Sequence, residues 1–196
     1  MARQEADLGS DHTAPAQGLS PADIKALIRT VPDFPAAGIQ FRDITTLLAN
    51  GDGFAAAVGH MAERARIGGA GLVAGIEARG FIFGAAIATR LGLGFVPLRK
   101  PGKLPTETIG IDYALEYGAA RLELDPGAIA PGERVLLIDD LIATGGTALA
   151  AADLLRRAGA QVDAALFLVD LPDLGGAAAL RAQGVAVEAL VAFADD

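Results

Sequence analysis

The chain is predicted to be an α/β protein: a single domain in which a mostly parallel twisted sheet is flanked by helices, with a flexible antiparallel hairpin inserted. Three observations lead there. Apolar runs of strand length alternate with segments of helical periodicity from about residue 54 to residue 170. The 196 residues contain no long polar linker that would divide them. Hydrophobic residues make up 52% of the chain but aromatics only 5%, so Ala, Val, Leu and Ile must build the core. That composition suits helices laid on a parallel sheet.

Residues 1–19 mix Ser, Asp, Gln, Gly, Pro and Ala without apolar periodicity and are expected to be a mobile leader, with the folded domain over 20–196. Ser20 can cap a helix, Pro21 fits its first turn, and Asp23 takes the capping-box place ahead of Ile24, Leu27 and Ile28 on one face. That helix must end before Pro32. A second helical pattern passes through Phe54, Val58, Met61, Ala62 and Ala65, and GLVAGI (71–76) reads as a buried strand. FIFGAAIATRL is helical, GFVPLRK and VLLIDD are strands, GTALAAADLLRRAG is a helix and AQVDAALFLVD a strand. Such alternation predicts right-handed crossovers and helices on both sheet faces. Between Thr106 and Asp125, TIGIDYALEYG and AARLELD form two antiparallel ribbons after a Pro/Gly-rich loop, and this insertion is expected to be mobile.

Charge and composition exclude several function classes. The net charge is −8 and the 16 basic residues form no Lys/Arg-rich run, so a nucleic-acid footprint is missing and any anion must be bound locally. With no cysteine there is no disulfide scaffold, thiolate metal ligand or thiol nucleophile. The first 20 residues lack the apolar core of a signal peptide, and Glu77, Arg79 and Arg90 interrupt the longest apolar runs well short of a membrane span. A soluble cytoplasmic protein is expected. His12 and His60 stand alone, which makes neither a metal ligand nor a nucleophile.

The segment VLLIDDLIATGGT, Val135 to Thr147, carries the most chemistry. Ligands of a parallel sheet sit beyond the carboxyl ends of its strands, and VLLIDD delivers Asp139 and Asp140 to that edge just before a glycine-containing loop opens a helix. Backbone N–H groups of Ala143, Thr144, Gly145, Gly146 and Thr147 can wrap a phosphate; the two glycines allow positive φ and close approach, and the threonines add hydroxyl donors. The spacing GxxxxGK[ST] is absent, no lysine lies in the loop and no GxGxxG occurs here, which removes the main support for nucleoside triphosphate or dinucleotide binding. Two adjacent carboxylates would repel a phosphate directly, whereas two ribose hydroxyls are good donors to both. The pair therefore reads as a ribose clamp beside a phosphate cradle. A plain helix N-cap region uses the same residue types, but not this succession of apolar strand, two acids, four residues and GGT.

In that form VLLIDDLIATGGT resembles the phosphoribosyl-pyrophosphate motif of the type I phosphoribosyltransferases. VPDFPAAGIQFRDIT (Val31 to Thr45), AGIEARGFIFG (Ala74 to Gly84) and LRKPGKLP followed by LEYG (Leu98 to Gly118) are similar to the adenine-specific members, and the likeness runs from about Pro21 to Phe193. The resemblance implies the type I phosphoribosyltransferase fold. It also implies reversible transfer of the 5-phosphoribosyl group from phosphoribosyl pyrophosphate to N9 of adenine, giving AMP and pyrophosphate. Mg²⁺ would be held through substrate oxygens, with no direct protein ligand, and the assembly would be a homodimer sharing basic residues across its interface.

By the same resemblance Glu77, Ala78, Arg79 and Gly80 form the pyrophosphate loop. Physical reasoning agrees, since this turn follows the strand GLVAGI onto the same sheet edge as Asp139, and a departing diphosphate needs cations and backbone donors. Arg99, Lys100 and Lys103 cluster after another strand, where they meet the same pyrophosphate or one held by a neighbouring subunit. Glu116, with Tyr117 beside it, matches the loop position near the forming bond, where the glutamate accepts the purine proton; Asp139 and Arg79 complete the catalytic set, Asp139 by stabilising an oxocarbenium-like centre. Phe41 would stack on the purine and backbone groups near Arg42 would read its edge. Asp170 stands where a glutamate is expected, and the arginine expected in the following GGAAAL is missing. A transferase for xanthine or orotate would share the sugar motif, and a non-catalytic sugar-phosphate-binding regulator would need a DNA-binding module that roughly twenty leader residues of net negative charge do not make.

Overall fold

The computed structural model describes residues 18–114 and 118–194. Helix α1 (Pro21–Ala26) opens with the capping box read from the sequence: Asp23 N–H donates to the Ser20 hydroxyl, and the Asp23 carboxylate accepts from Ser20 N–H at 2.8 Å. Strands β1 (Arg29–Pro32) and β2 (Gln40–Asp43) pair antiparallel as a separate two-stranded sheet. Short helix α2 (Thr45–Leu48) follows, then α3 (Gly51–Ile67), where the Asn50 side chain accepts from Gly53 N–H at 2.8 Å. The alternating part is β3 (Leu72–Ile76), α4 (Arg79–Leu91) and β4 (Gly94–Leu98). The hairpin β5 (Ile109–Ala114) and β6 (Ala119–Leu124) comes next, then β7 (Arg134–Ile142), α5 (Gly146–Arg157), β8 (Gln161–Asp170), α6 (Gly176–Ala182) and β9 (Ala186–Ala192).

Strands β4, β3, β7, β8 and β9 lie in that order in one all-parallel sheet. Period-2 geometry sends alternate residues to opposite faces. Leu72, Ala74, Ile76, Val135, Leu137, Ala165 and Phe167 pack with α5, α6 and the hairpin, while Val73, Leu136, Ile138, Leu166 and Leu168 pack with α1 to α4. Helices thus cover both faces, as the sequence predicts. No helix of the described residues is long and apolar enough to cross a membrane.

Three features depart from the sequence-based expectation. Strands β1, β2 and β9 carry no clean alternation signal and take their form from pairing, β9 by lying against β8. The inserted hairpin is no peripheral appendage at its base, because Leu122 and Leu124 are fully buried against α5 and sheet residues. Its tip, with Glu116 and Tyr117, lies outside the described residues, as do residues 1–17 of the leader. Finally, β7 does not stop at Asp140. It pairs with β3 only as far as Ile138 opposite Gly75, but continues beside the long strand β8 to Ile142 opposite Asp170. Asp139 and Asp140 therefore sit where β3 has already turned away, with the strand that carries them still held from the other side.

Candidate active site

That offset creates a cavity of about 530 Å³ over the carboxyl edge, lined by residues 76–79, Lys100, Tyr113, Ala120 and residues 139–148. The segment from Asp139 to Thr147 and the Glu77–Arg79 turn, far apart in the chain, are brought to one place. The N-termini of α4 and α5 both open here, and neither has a side-chain cap hydrogen bond. The first-turn N–H groups and dipoles of helices so placed favour an anion.

Gly145 has φ 86, which fits the expected need for positive φ, whereas Gly146 already starts α5 and needs none. Gly80 is needed for a different reason. It is buried in the first turn of α4, and a Cβ there would lie 2.7 Å from Asp139 Oδ1 and 2.9 Å from the Ile138 carbonyl oxygen. Only a bare Cα lets α4 approach β7 this closely. The Glu77–Ala78 peptide just before it is cis.

The two acids differ in surroundings. Asp140 is buried at 4% exposure, and its Oδ2 lies 2.7 Å from Arg79 Nε. Burial pushes its carboxyl up, with Arg79 opposing. Asp139 is pushed well above the ordinary carboxylate range, first by burial and then by the charge of Asp140, and its Oδ1 accepts from Asp140 N–H at 2.9 Å. Arg79 is thus paired with Asp140, although half of its side chain remains exposed.

The basic residues separate on inspection. Lys100 lines the cavity; Arg99 and Lys103 do not. Arg99 Nε lies 3.2 Å from a Glu77 oxygen, and its Nη1 donates to the Lys103 carbonyl at 2.9 Å. Glu77 also accepts from Lys100 N–H at 2.9 Å. Burial pushes the Glu77 carboxyl up, but the Lys100 and Arg99 hydrogen bonds outweigh it and hold it below its usual value. Glu77 and Arg99 therefore brace the turn against strand β4, leaving Lys100 as the cation at the cavity from that segment.

Phe41 lines a second cavity, of about 510 Å³, with Val31, Phe34, Asp43, Ile44, Thr45, Leu48 and Arg79. Arg79 is common to both cavities, and its guanidinium carbon lies 6.0 Å from the Phe41 ring centre. Phe34 meets Phe41 edge to face at 5.1 Å. Phe41 is partly buried rather than core, so its ring remains available to a flat ligand. The Arg42 guanidinium is turned away, 4.4 Å over the Phe193 ring and 2.5 Å from the Thr30 hydroxyl, which leaves only its backbone for base recognition.

Asp43 secures this segment. Thr45, through its side chain and its N–H, holds the Asp43 carboxyl at about 2, with Arg29 adding to the effect. Its unfolded value is about 3.9. Its stabilisation is therefore present above about pH 4 and is lost as pH falls through about 2. Asp43→Asn protein is expected to lose less stability than wild type over that acid window, measured as denaturant midpoint against pH.

Sequence reasoning missed Tyr113 and Ala120, which reach the cavity only because the hairpin folds over α5. It also missed Gly176, whose N–H donates to the Ala143 carbonyl at 3.0 Å behind the phosphate loop. The GG pair in LPDLGG was the available signal. Asp170, at the end of β8, is outside the cavity lining; burial pushes its carboxyl up, with Arg181 opposing, so its departure from the expected glutamate does not touch the site.

Comparison with known proteins narrows the site's meaning. The family model described as the phosphoribosyl transferase domain matches residues 45–175. The adenine phosphoribosyltransferase of Erythrobacter litoralis is 67% identical over 171 residues, covering 87% of this chain and 96% of the relative. The crystal structure of adenine phosphoribosyltransferase from Thermoanaerobacter pseudethanolicus superposes with a TM-score of 0.84 at 44% identity, covering 89% of this chain and all of that one. The Saccharomyces cerevisiae enzyme, solved with adenine and an imino-altritol bisphosphate, superposes at 0.80 with 35% identity, covering 87% and 98% respectively. With the all-parallel sheet and these matches over most of its length, the chain belongs to the adenine phosphoribosyltransferases, pentosyltransferases of the type I phosphoribosyltransferase fold.

Proposed function

We propose that the two adjoining cavities are the sugar-phosphate and base subsites for transfer of the 5-phosphoribosyl group from phosphoribosyl pyrophosphate to N9 of adenine, releasing pyrophosphate and forming AMP in purine salvage. The observation that carries this reading is Arg79, which lines both cavities and so marks where the diphosphate at C1 and the incoming base must meet. Residues 143–147 receive the 5-phosphate through N–H groups and threonine hydroxyls, and Asp139 and Asp140 accept the ribose hydroxyls. The Glu77–Gly80 turn and Lys100 hold the diphosphate, while Arg99 and Lys103 support that segment. Arg79 leaves Asp140 for the diphosphate when substrate enters, and the freed carboxylate takes a ribose hydroxyl in its place.

As the bond from C1 to the diphosphate lengthens, positive charge grows on the sugar ring, and the adjacent carboxylate of Asp139 opposes it electrostatically. Phe41 stacks on adenine and backbone groups at Arg42 read its edge. Glu116, with Tyr117 beside it in the sequence and both outside the described residues, accepts the purine proton. Among the described residues no group of three His, Cys, Asp or Glu could hold a metal by itself. Mg²⁺ would be carried by the oxygens of the diphosphate, where it would supply charge neutralisation of the leaving group. A homodimer in the cytoplasm, preceded by a leader over 1–19, completes the proposal.

Steady-state assays with adenine, guanine, hypoxanthine, xanthine and orotate test it; adenine is expected to be the preferred acceptor, and absence of adenine turnover overturns the reading. Phe41→Ala is expected to raise the KM for adenine while leaving that for phosphoribosyl pyrophosphate nearly unchanged. Base stacking on an aromatic ring is worth roughly 1–3 kcal/mol, about 5- to 150-fold. Equal changes in both KM values would remove Phe41 from the base subsite.

A further inference from the structure

We propose that Gly176 is a positioning residue for the phosphate loop, acting from behind it and touching no substrate; the inference rests on the reading of residues 143–147 as the 5-phosphate cradle. Gly176 opens α6 and lies flat against that loop. Its N–H donates to the Ala143 carbonyl at 3.0 Å. A Cβ on Gly176 would stand 2.3 Å from the Ala143 carbonyl oxygen, 2.6 Å from Gly145 N and 2.8 Å from the Thr144 carbonyl carbon. The contact is reciprocal, because a Cβ on Gly145 would stand 2.8 Å from the Gly176 Cα. Every obstructing atom is backbone, so no rotamer change relieves the clash.

A loop that receives an anion must turn its N–H groups inward and its carbonyls outward. Gly176 performs the outward half of that arrangement by engaging the Ala143 carbonyl on the far side. The turn that presents it is well backed. Ala177 and Leu180 are buried in the same core as the apolar face of α5, and the end of β7 is tied to the exit of β8 by Leu171 N–H donating to the Ile142 carbonyl at 3.0 Å. The loop cannot relax away from a new methyl group without moving its N–H groups into the cavity. Misplacement by about 1 Å at a binding site can cost about 100-fold.

The neighbouring Gly175 provides the control. It has φ 75, so an alanine there is strained, but nothing lies within 4 Å of its would-be Cβ. In the full chain, Gly176→Ala is expected to raise the KM for phosphoribosyl pyrophosphate and the Kd for ribose 5-phosphate by tenfold or more, with the KM for adenine within threefold of wild type. Gly175→Ala is expected to lower Tm and leave both sugar-phosphate constants unchanged. Thr147→Ala tests the cradle itself and should weaken ribose 5-phosphate.

Wild-type Kd in folded Gly176→Ala protein, with Thr147→Ala weakened, overturns the role of Gly176 alone. No effect from Thr147→Ala removes the cradle and the inference with it. Equal weakening by Gly175→Ala and Gly176→Ala also overturns the proposal, since general destabilisation then suffices. If Gly176→Ala does not fold, hydrogen exchange of the wild-type Gly176 amide decides. Added ribose 5-phosphate should increase its protection at least severalfold, and unchanged protection refutes the coupling.

Discussion

Replacing Asp139 and Asp140 together by asparagine is expected to lower kcat/KM for phosphoribosyl pyrophosphate by roughly 10²- to 10⁴-fold, since hydrogen bonds to charged groups contribute about 1.5–3 kcal/mol each. The same change should not weaken the fold. Asp139 has its pKa raised by burial and by the charge of Asp140. A carboxyl whose folded value lies above its unfolded value stabilises the protein below about pH 3.9 and loses that contribution as pH rises through the folded value. Above its unfolded value the buried Asp139 carboxyl is therefore kept at a cost in stability, and Asp139→Asn should leave Tm equal to or above wild type. Kinetics and thermal unfolding on one preparation check both halves. Near-wild-type kcat/KM would remove the ribose clamp, and a large fall in Tm would show the pair to be structural.

Gly80→Ala carries the second largest expected effect. Its methyl group would meet Asp139 Oδ1 at 2.7 Å, the Ile138 carbonyl oxygen at 2.9 Å and Asp139 Cα at 3.2 Å, so either the Asp139 carboxylate or the start of α4 must shift. Overpacking of this kind costs about 1–3 kcal/mol in stability. Displacing the acid from the reacting centre should cost about 100-fold in kcat/KM. Gly84→Ala separates the two effects. It lies on the same helix, and its methyl group would meet the Phe95 ring at 2.8 Å, away from the acids. It should lose comparable stability and retain most activity in the folded fraction. Comparable losses of activity in both variants would refute a specific role for Gly80.

Much of the placement was legible because its parts are short and local. The apolar strand ahead of Asp139 and Asp140, the loop through Thr147 and the Glu77–Gly80 turn lie together as residue order implied, because a parallel sheet sends every such turn to one edge. Residues whose role comes from contacts distant in sequence did not read in the same way. Arg99 looked like a cation for the diphosphate but is engaged by Glu77 and by the Lys103 carbonyl. Tyr113 reaches the cavity from the hairpin, and Gly176 supports a loop some thirty residues away in the chain. Nothing in the local sequence specifies such pairings.

What the sequence determined by itself was the order of elements, the sheet edge that carries the chemistry, and the residue types suited to a ribose phosphate. Period-2 and helical periodicities, caps and turn residues are local physics and survive without the rest of the chain. The tertiary structure decided the direction of the carboxyl pKa shifts and the partners. Asp140 is paired with Arg79, Asp139 has its carboxyl raised, and the two cavities meet at one guanidinium. These depend on burial and on distances of a few ångströms between segments far apart in sequence. Both are set only when β7 outruns β3 and leaves its two acids at the lip of the sheet.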